Sequence, residues 1–120
     1  MTGRILLAAL GLSILPISAA ERPRRHREIP MKATAYAQHG ITKSGAKTRR
    51  GIIAADPRVL PIGTKVKVTN AGPYSGQYVV KDTGKKIKGR KIDVFMPSHR
   101  EAKRFGVKNV KVKVVQPPPQ

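Results

Sequence analysis

Three aspartates stand among 25 lysines and arginines in this chain of 120 residues: Asp56, Asp82 and Asp93. A carboxyl is one of the few side chains able to act as general acid, general base or nucleophile, so the placement of these three comes first. Asp56 closes the apolar run "GIIAAD" and precedes proline; Asp82 closes "QYVVKD" and precedes Thr83 and Gly84. Aspartate also serves at such positions as a plain turn or cap residue, and both readings stand. Asp93 is different. It lies inside "KIDVF", between Ile92 and Val94, in a strand-like segment that disfavours aspartate. With a period of two it shares a face with Lys91 and Phe95. Either that face is solvated, or all three acids project into one groove. In a groove they would repel one another and raise one pKa, the condition for a general acid near neutral pH. The surrounding cations act in the opposite sense.

The elements that must hold these residues are legible as short strands. "TKVKVT" (64–69) sets Val66 and Val68 on one face and Lys65 and Lys67 on the other. "NVKVKVV" (109–115) turns Val110, Val112 and Val114 inward, and "MKATAYA" (31–37), "GIIAAD" (51–56), "QYVVKD" (77–82) and "KIDVF" (91–95) complete six. Dense turn chemistry, "NAGPYSG", separates two of them. Ser98 with Glu101 three residues on is a capping-box pattern, and Gly106 suits a C-terminal cap. That predicts one helix over 99–105, with Ala102 and Phe105 on its buried side. The predicted fold class is mainly β: a small, closed six-stranded barrel over 31–115 with one short α-helix. Closure removes exposed strand edges, which suits a chain that has no cysteine for disulfide staples.

The flanks read differently. Residues 5–16, "ILLAALGLSILP", follow Arg4 and precede "SAA", the layout of a signal peptide over 1–20, cleaved after Ala20. Residues 21–30, "ERPRRHREIP", read as a flexible basic arm, and 116–120, "QPPPQ", as a proline-rich tail. The expected location is therefore outside the cytoplasm: periplasm or cell envelope, outer-membrane associated or secreted, with no stable membrane span after cleavage. The formal charge is +19, or +18 once Arg4 is removed. Such a charge attracts polyanions, and export points to an anionic cell-envelope polymer rather than nucleic acid. Cysteine chemistry is excluded for this chain. His26, His39 and His99 have no spacing that suggests a metal site, so neither metal nor cofactor is expected. Ser44-Gly45, in "TKSGAK", either lines a cleft or makes a plain turn.

In order, "AADP" with "LPIGTKV", then "KDTG", "IKG" and "IDVF" resemble the 3D domain, named for its three aspartates. The resemblance spans about 33–115. It implies a double-psi β-barrel related to those of membrane-bound lytic transglycosylase A and of rare-lipoprotein-A type proteins, and action on peptidoglycan. Carried over by motif, Asp93 matches the catalytic acid/base, with Asp82, at the end of an adjacent strand, and Asp56 as supporting acids. Thr83, Gly84, Ser44 and Lys81 are the accompanying candidates for substrate binding. The sequence departs from the family pattern at Lys85 and Lys86, where many members have small residues. The implied chemistry is cleavage of the glycosidic bond between N-acetylmuramate and N-acetylglucosamine by a lytic transglycosylase or hydrolase acting as a monomer on glycan strands. The competing reading is a non-catalytic, expansin-like module that binds wall polysaccharide. Tyr36, Tyr74 and Tyr78 are candidates for stacking on sugar rings, with core packing the expectation for Tyr36 and Tyr78.

Overall fold

The computed structural model describes residues 27–119. Six strands, β1 (Glu28–Tyr36), β2 (Ile52–Ala55), β3 (Lys65–Thr69), β4 (Gly76–Asp82), β5 (Lys91–Phe95) and β6 (Lys108–Gln116), close a barrel in the order β1-β5-β2-β4-β3-β6. β1 and β5 run parallel, as do β2 and β4; the other four pairs are antiparallel. This is the mainly β, six-stranded barrel expected. The alternating segments behave as their period demands. Val66, Val68, Val110, Val112 and Val114 turn inward, where they pack with Met31, Ile53, Val80, Ile92 and Val94. Each such side chain contributes about 1.5–3 kcal/mol by leaving water.

The helix α1 (His99–Phe105) forms where predicted, with Phe105 buried and Ala102 packed against the core. Ser98 Oγ accepts from the Glu101 amide at 3.2 Å, and Gly106 closes the helix at a φ of 65°. Only half of the capping box is made. The Glu101 carboxylate instead takes a two-pronged ion pair from Arg50, 2.7 Å on each prong. That contact pins α1 to the loop entering β2.

Both ends differ from expectation. β1 starts at Glu28, because residues 28–30 pair with Lys111, Val112 and Lys113 of β6. Part of the expected basic arm is therefore strand. Pro30 is tolerated there because pairing with β5 begins only at Lys32, leaving that side of the strand without a partner. β6 runs on to Gln116, and Pro118 and Pro119 lie against Gly63, where an added Cβ would meet Pro119 Cδ at 2.9 Å. The expected signal peptide, and residues 21–26 of the arm, lie outside the described residues. Among the described residues no helix is long and apolar enough to cross a membrane.

Candidate functional site

One row of paired residues crosses the outside of the barrel. Thr34 on β1 pairs with Asp93 on β5, Asp93 with Ala54 on β2, and Ala54 with Asp82 on β4. β4 and β5 are not neighbours, contrary to the sequence-based expectation; β2 runs between them. At about 4.8 Å per strand the two aspartate backbones stand roughly 10 Å apart. Asp93 faces outward because Ile92 and Val94 on either side of it fill the core. Asp82 needs a further device. Val80 points inward, so a regular strand would send residue 82 inward too. The β2–β4 ladder instead slips by one residue, from Ile53↔Val80 to Ala54↔Asp82, and Lys81 is the extra residue. This β-bulge turns Asp82 onto the outer face beside Asp93.

The two carboxylates are held by different groups. Thr34 Oγ1 donates to Asp93 Oδ1 at 3.0 Å. Burial raises the Asp93 carboxyl above its ordinary range, against the Thr34 hydrogen bond and the Lys91 charge, which both lower it. Burial and the neighbouring aspartates were both expected to raise the acid against the surrounding cations; burial is the cause here. Asp82 Oδ1 accepts from the amides of Lys43, at 2.9 Å, and Thr83, at 2.9 Å, which ties the 38–48 loop to the end of β4. Among the described residues no hydrogen bond joins Asp82 to Asp93.

Asp56 is built into the framework. Its side chain is almost wholly buried, and it accepts from Arg58 Nε at 3.1 Å, Arg58 Nη2 at 2.9 Å, and the amides of Arg58 and Gly89 at 3.0 and 2.9 Å. The Arg58 guanidinium and these amides hold its carboxyl well below the usual carboxylate range. Gly89 belongs to the loop that leads from Asp82 to Asp93, so Asp56 fixes that loop's path. Gly84 is equally structural: an added Cβ would meet Ile87 Cγ1 at 2.9 Å. Ser44 donates its amide to the Lys81 carbonyl at 3.1 Å and contacts Thr42 Oγ1 at 3.0 Å, so it braces the bulge from within its own turn. Thr83 and Lys81 flank Asp82 on the backbone that the bulge shapes.

Thr34 is the residue that sequence reasoning missed, and Tyr36, a stacking candidate there, is placed differently from its default. Tyr36 was expected in the core, yet it lies on the outer face one step along from Thr34, paired with Phe95 and in edge contact with that ring at 5.6 Å. Its hydroxyl is buried and has no hydrogen-bond partner among the described residues. Burial, then the charges of Asp82 and Asp93, push the phenol up to about 12. A neutral donor thus sits within reach of both carboxylates' fields. The alternation of "KATAY" would have placed Thr34 and Tyr36 on one face; what hid them was not knowing which strand β1 pairs with. Tyr78 meets the expectation better, packing against the core while its hydroxyl donates to the Tyr74 carbonyl at 2.6 Å.

The site opens into a cleft of about 260 Å³ lined by Tyr36, Gln38, His39, Gly40, Ile41, Thr48 and Asp82. His39 stands edge-on to Phe95 at 5.2 Å, and its Nε2 lies 3.1 Å from the Pro97 carbonyl. A separate cleft of about 330 Å³ is lined by Phe95 with Arg50, Tyr74 and Tyr78.

A closed barrel of mixed strands, with an aspartate row turned outward by a bulge, defines a class, and sequence comparison gives its family. Residues 51–116 match the 3D domain, and the chain belongs to that family. It is similar to the cell wall-binding protein YocH of Bacillus subtilis, 41% identical over 98 residues, which are 74% of this chain and 33% of that protein. YabE, a B. subtilis protein named for a proposed role in cell wall shaping, is 48% identical over 80 residues, 63% of this chain and 19% of that one. The chain thus spans a third or less of these two relatives. Among solved structures it resembles Streptomyces papain inhibitor, with a TM-score of 0.60 at 18% identity over 76% of this chain and 96% of the other. The expansin of Clavibacter michiganensis follows with a TM-score of 0.57 at 17% identity over 78% and 52%. Escherichia coli MltA with bound chitohexaose gives 0.53 at 19% over 67% and 28%. These likenesses establish the double-psi barrel and nothing about activity.

Proposed function

We propose that this chain is an exported enzyme of cell-wall turnover that cleaves the glycosidic bond between N-acetylmuramate and N-acetylglucosamine, in the manner of a lytic transglycosylase. The observation that carries the reading is Asp93: an outward carboxyl in a strand, raised by burial, beside Asp82 and the unpartnered Tyr36 hydroxyl. Protonated Asp93 donates to the bridging oxygen as the bond to the anomeric carbon breaks. The resulting carboxylate takes the proton of the muramate C6 hydroxyl, whose oxygen closes a 1,6-anhydro ring on that carbon. Proton and oxygen balance without water, so one carboxyl suffices where ordinary glycosidases use two. Asp82 faces the positive charge that develops at the sugar. Asp56 keeps the loop between the two acids in place, and Thr83, Gly84, Ser44 and Lys81 shape the backbone around Asp82. The names of YocH and YabE place relatives at the cell wall, which supports the substrate class and a location in the cell envelope.

Asp93→Asn keeps the Thr34 hydrogen bond and removes the proton. On purified sacculi, release of muropeptides should fall by about 10²–10⁴-fold while binding persists. Wild-type release should also decline as pH rises through the raised Asp93 value, because the acid form is then lost. Mass analysis identifies the route, since anhydro products are lighter than hydrolysis products by one water. A second reading, a non-catalytic polysaccharide-binding barrel, is favoured by the fold shared with an expansin and by a relative named for binding. Wild-type protein that binds sacculi and releases nothing would establish that reading and refute the first.

A further inference from the structure

We propose that the outer face of β3, β6 and β1 docks a linear polymer that carries a phosphodiester at every repeat. The ladders set Lys67 directly opposite Lys113, and Thr69 opposite Lys111. On the other side of β6, Lys113 faces Glu28 and Lys111 faces Pro30, with Lys32 following on β1. Because the valines between them turn inward, these lysines turn out. Lys32, Lys65, Lys67 and Lys111 are exposed. Like charges directly opposite in a ladder destabilise it, so Lys67 and Lys113 are held there against the fold's interest. The ion pairs among the described residues are Arg50–Glu101 and Arg58–Asp56; Glu28, the acid opposite Lys113, makes none, and the lysines of this face outnumber it. The acids Asp93 and Asp82 lie on β5 and β4, so the two surfaces meet along β1 and β3.

Spacing selects the partner. Lysines two residues apart on a strand are separated by six backbone bonds, about 6.6–6.8 Å. Phosphodiesters joined through a three-carbon unit are also six bonds apart, so an extended polyol phosphate repeats in step with Lys111 and Lys113, and with Lys65 and Lys67. A polynucleotide has the same six-bond repeat, but its bases need aromatic platforms. The face has none. Tyr36 and Phe95 flank the acid row, Tyr74 and Phe105 pack on each other, and Tyr78 packs on the core. A polymer without bases fits the surface better.

The test uses the full chain and two probes of equal charge, synthetic poly(glycerol phosphate) and single-stranded DNA. One variant carries Lys32→Gln, Lys67→Gln, Lys111→Gln and Lys113→Gln. A control of the same charge change carries Lys85→Gln, Lys86→Gln, Lys88→Gln and Arg90→Gln in the exposed loop after Asp82. The face variant should lose poly(glycerol phosphate) affinity by at least about tenfold, the control by no more than about threefold, and wild type should bind the polyol phosphate more tightly than DNA. Equal losses in the two variants would show undirected charge and overturn the proposal, as would tighter binding of DNA. The face variant should unfold cooperatively at or above the wild-type Tm, since the Lys67–Lys113 repulsion is gone; if it does not fold, the Lys67→Gln/Lys113→Gln double variant carries the same comparison. Asp93→Asn should bind the polymer as wild type does, so failure of the cleavage reading leaves this result intact.

Discussion

The Tyr36 hydroxyl and the Asp56 carboxylate mark two opposite uses of a buried polar group. The hydroxyl has no partner, lies in the field of Asp82 and Asp93, and stays protonated to about pH 12. A buried donor left unpaired is unfavourable unless a ligand supplies the acceptor. Tyr36→Phe keeps the edge contact with Phe95 and removes only that donor. Muropeptide release should fall about 3–10-fold, the worth of one hydrogen bond, with sacculus binding unchanged and Tm equal or higher. An unchanged rate would show that the hydroxyl meets solvent alone. Asp56 is fully satisfied, and its charged form is the one the fold holds. Its pKa is lowered on folding, so its stabilisation is complete above the unfolded value near ~3.9 and is lost as pH falls through the lower folded value. Asp56→Asn should lower Tm at pH 7 by more than about 5 °C, a gap that narrows as acid protonates the wild type. Thermal scans across pH check this; a constant gap would assign the effect to packing instead. Asp93 has the reverse sign. Burial raises it, so its charge opposes folding at neutral pH, as expected of a group kept for chemistry.

At the level of elements, the strands were legible because their chemistry repeats. Val66 and Val68, and Val110 through Val114, can satisfy a period of two only by facing one core, and Ser98, Glu101 and Gly106 bracket the helix. What the sequence hid was long-range pairing. No local pattern tells that β2 lies between β4 and β5, or that Lys81 is an extra residue. The bulge is the decisive case: counted along the chain, Asp82 falls on the same side as Val80, and only the slip against Ile53 and Ala54 turns it out. The same blindness put Tyr36 in the core. It also left Gly84 among substrate contacts, when the space around it shows a packing role. The turn after β4 brings Ile87 so near that an added Cβ would meet Cγ1 at 2.9 Å. Gly84→Ala should therefore destabilise the fold by about 1–3 kcal/mol. Ile87 is itself buried, so Ile87→Ala will have its own penalty, but the double variant should be more stable than the sum of the two. Additive losses in a double-mutant cycle by chemical denaturation would show that the two do not touch in solution.

At the scale of the whole molecule, charge sets two quantities in opposition. A formal +19 on a chain of 120 residues repels itself, and folding brings those charges closer. The barrel resists this with an apolar centre and with fixed points such as Arg50–Glu101 and Asp56–Arg58. Salt should relieve the repulsion. Between 0.01 M and 0.3 M the screening length drops from about 30 Å to well below 10 Å, so charges on opposite sides of the barrel cease to interact. The Tm should rise by several degrees over that range. Attraction to a polyanion depends on the same unscreened charge and on release of counterions, so binding to intact sacculi should weaken steeply over the same range. The two curves must cross: the protein becomes more stable as it becomes less able to bind. Thermal unfolding and sacculus co-sedimentation at matched ionic strengths measure both. Sacculus binding indifferent to salt would show that the lysine face is not the attractor, and a Tm that falls with salt would show that specific ion pairs outweigh the net repulsion.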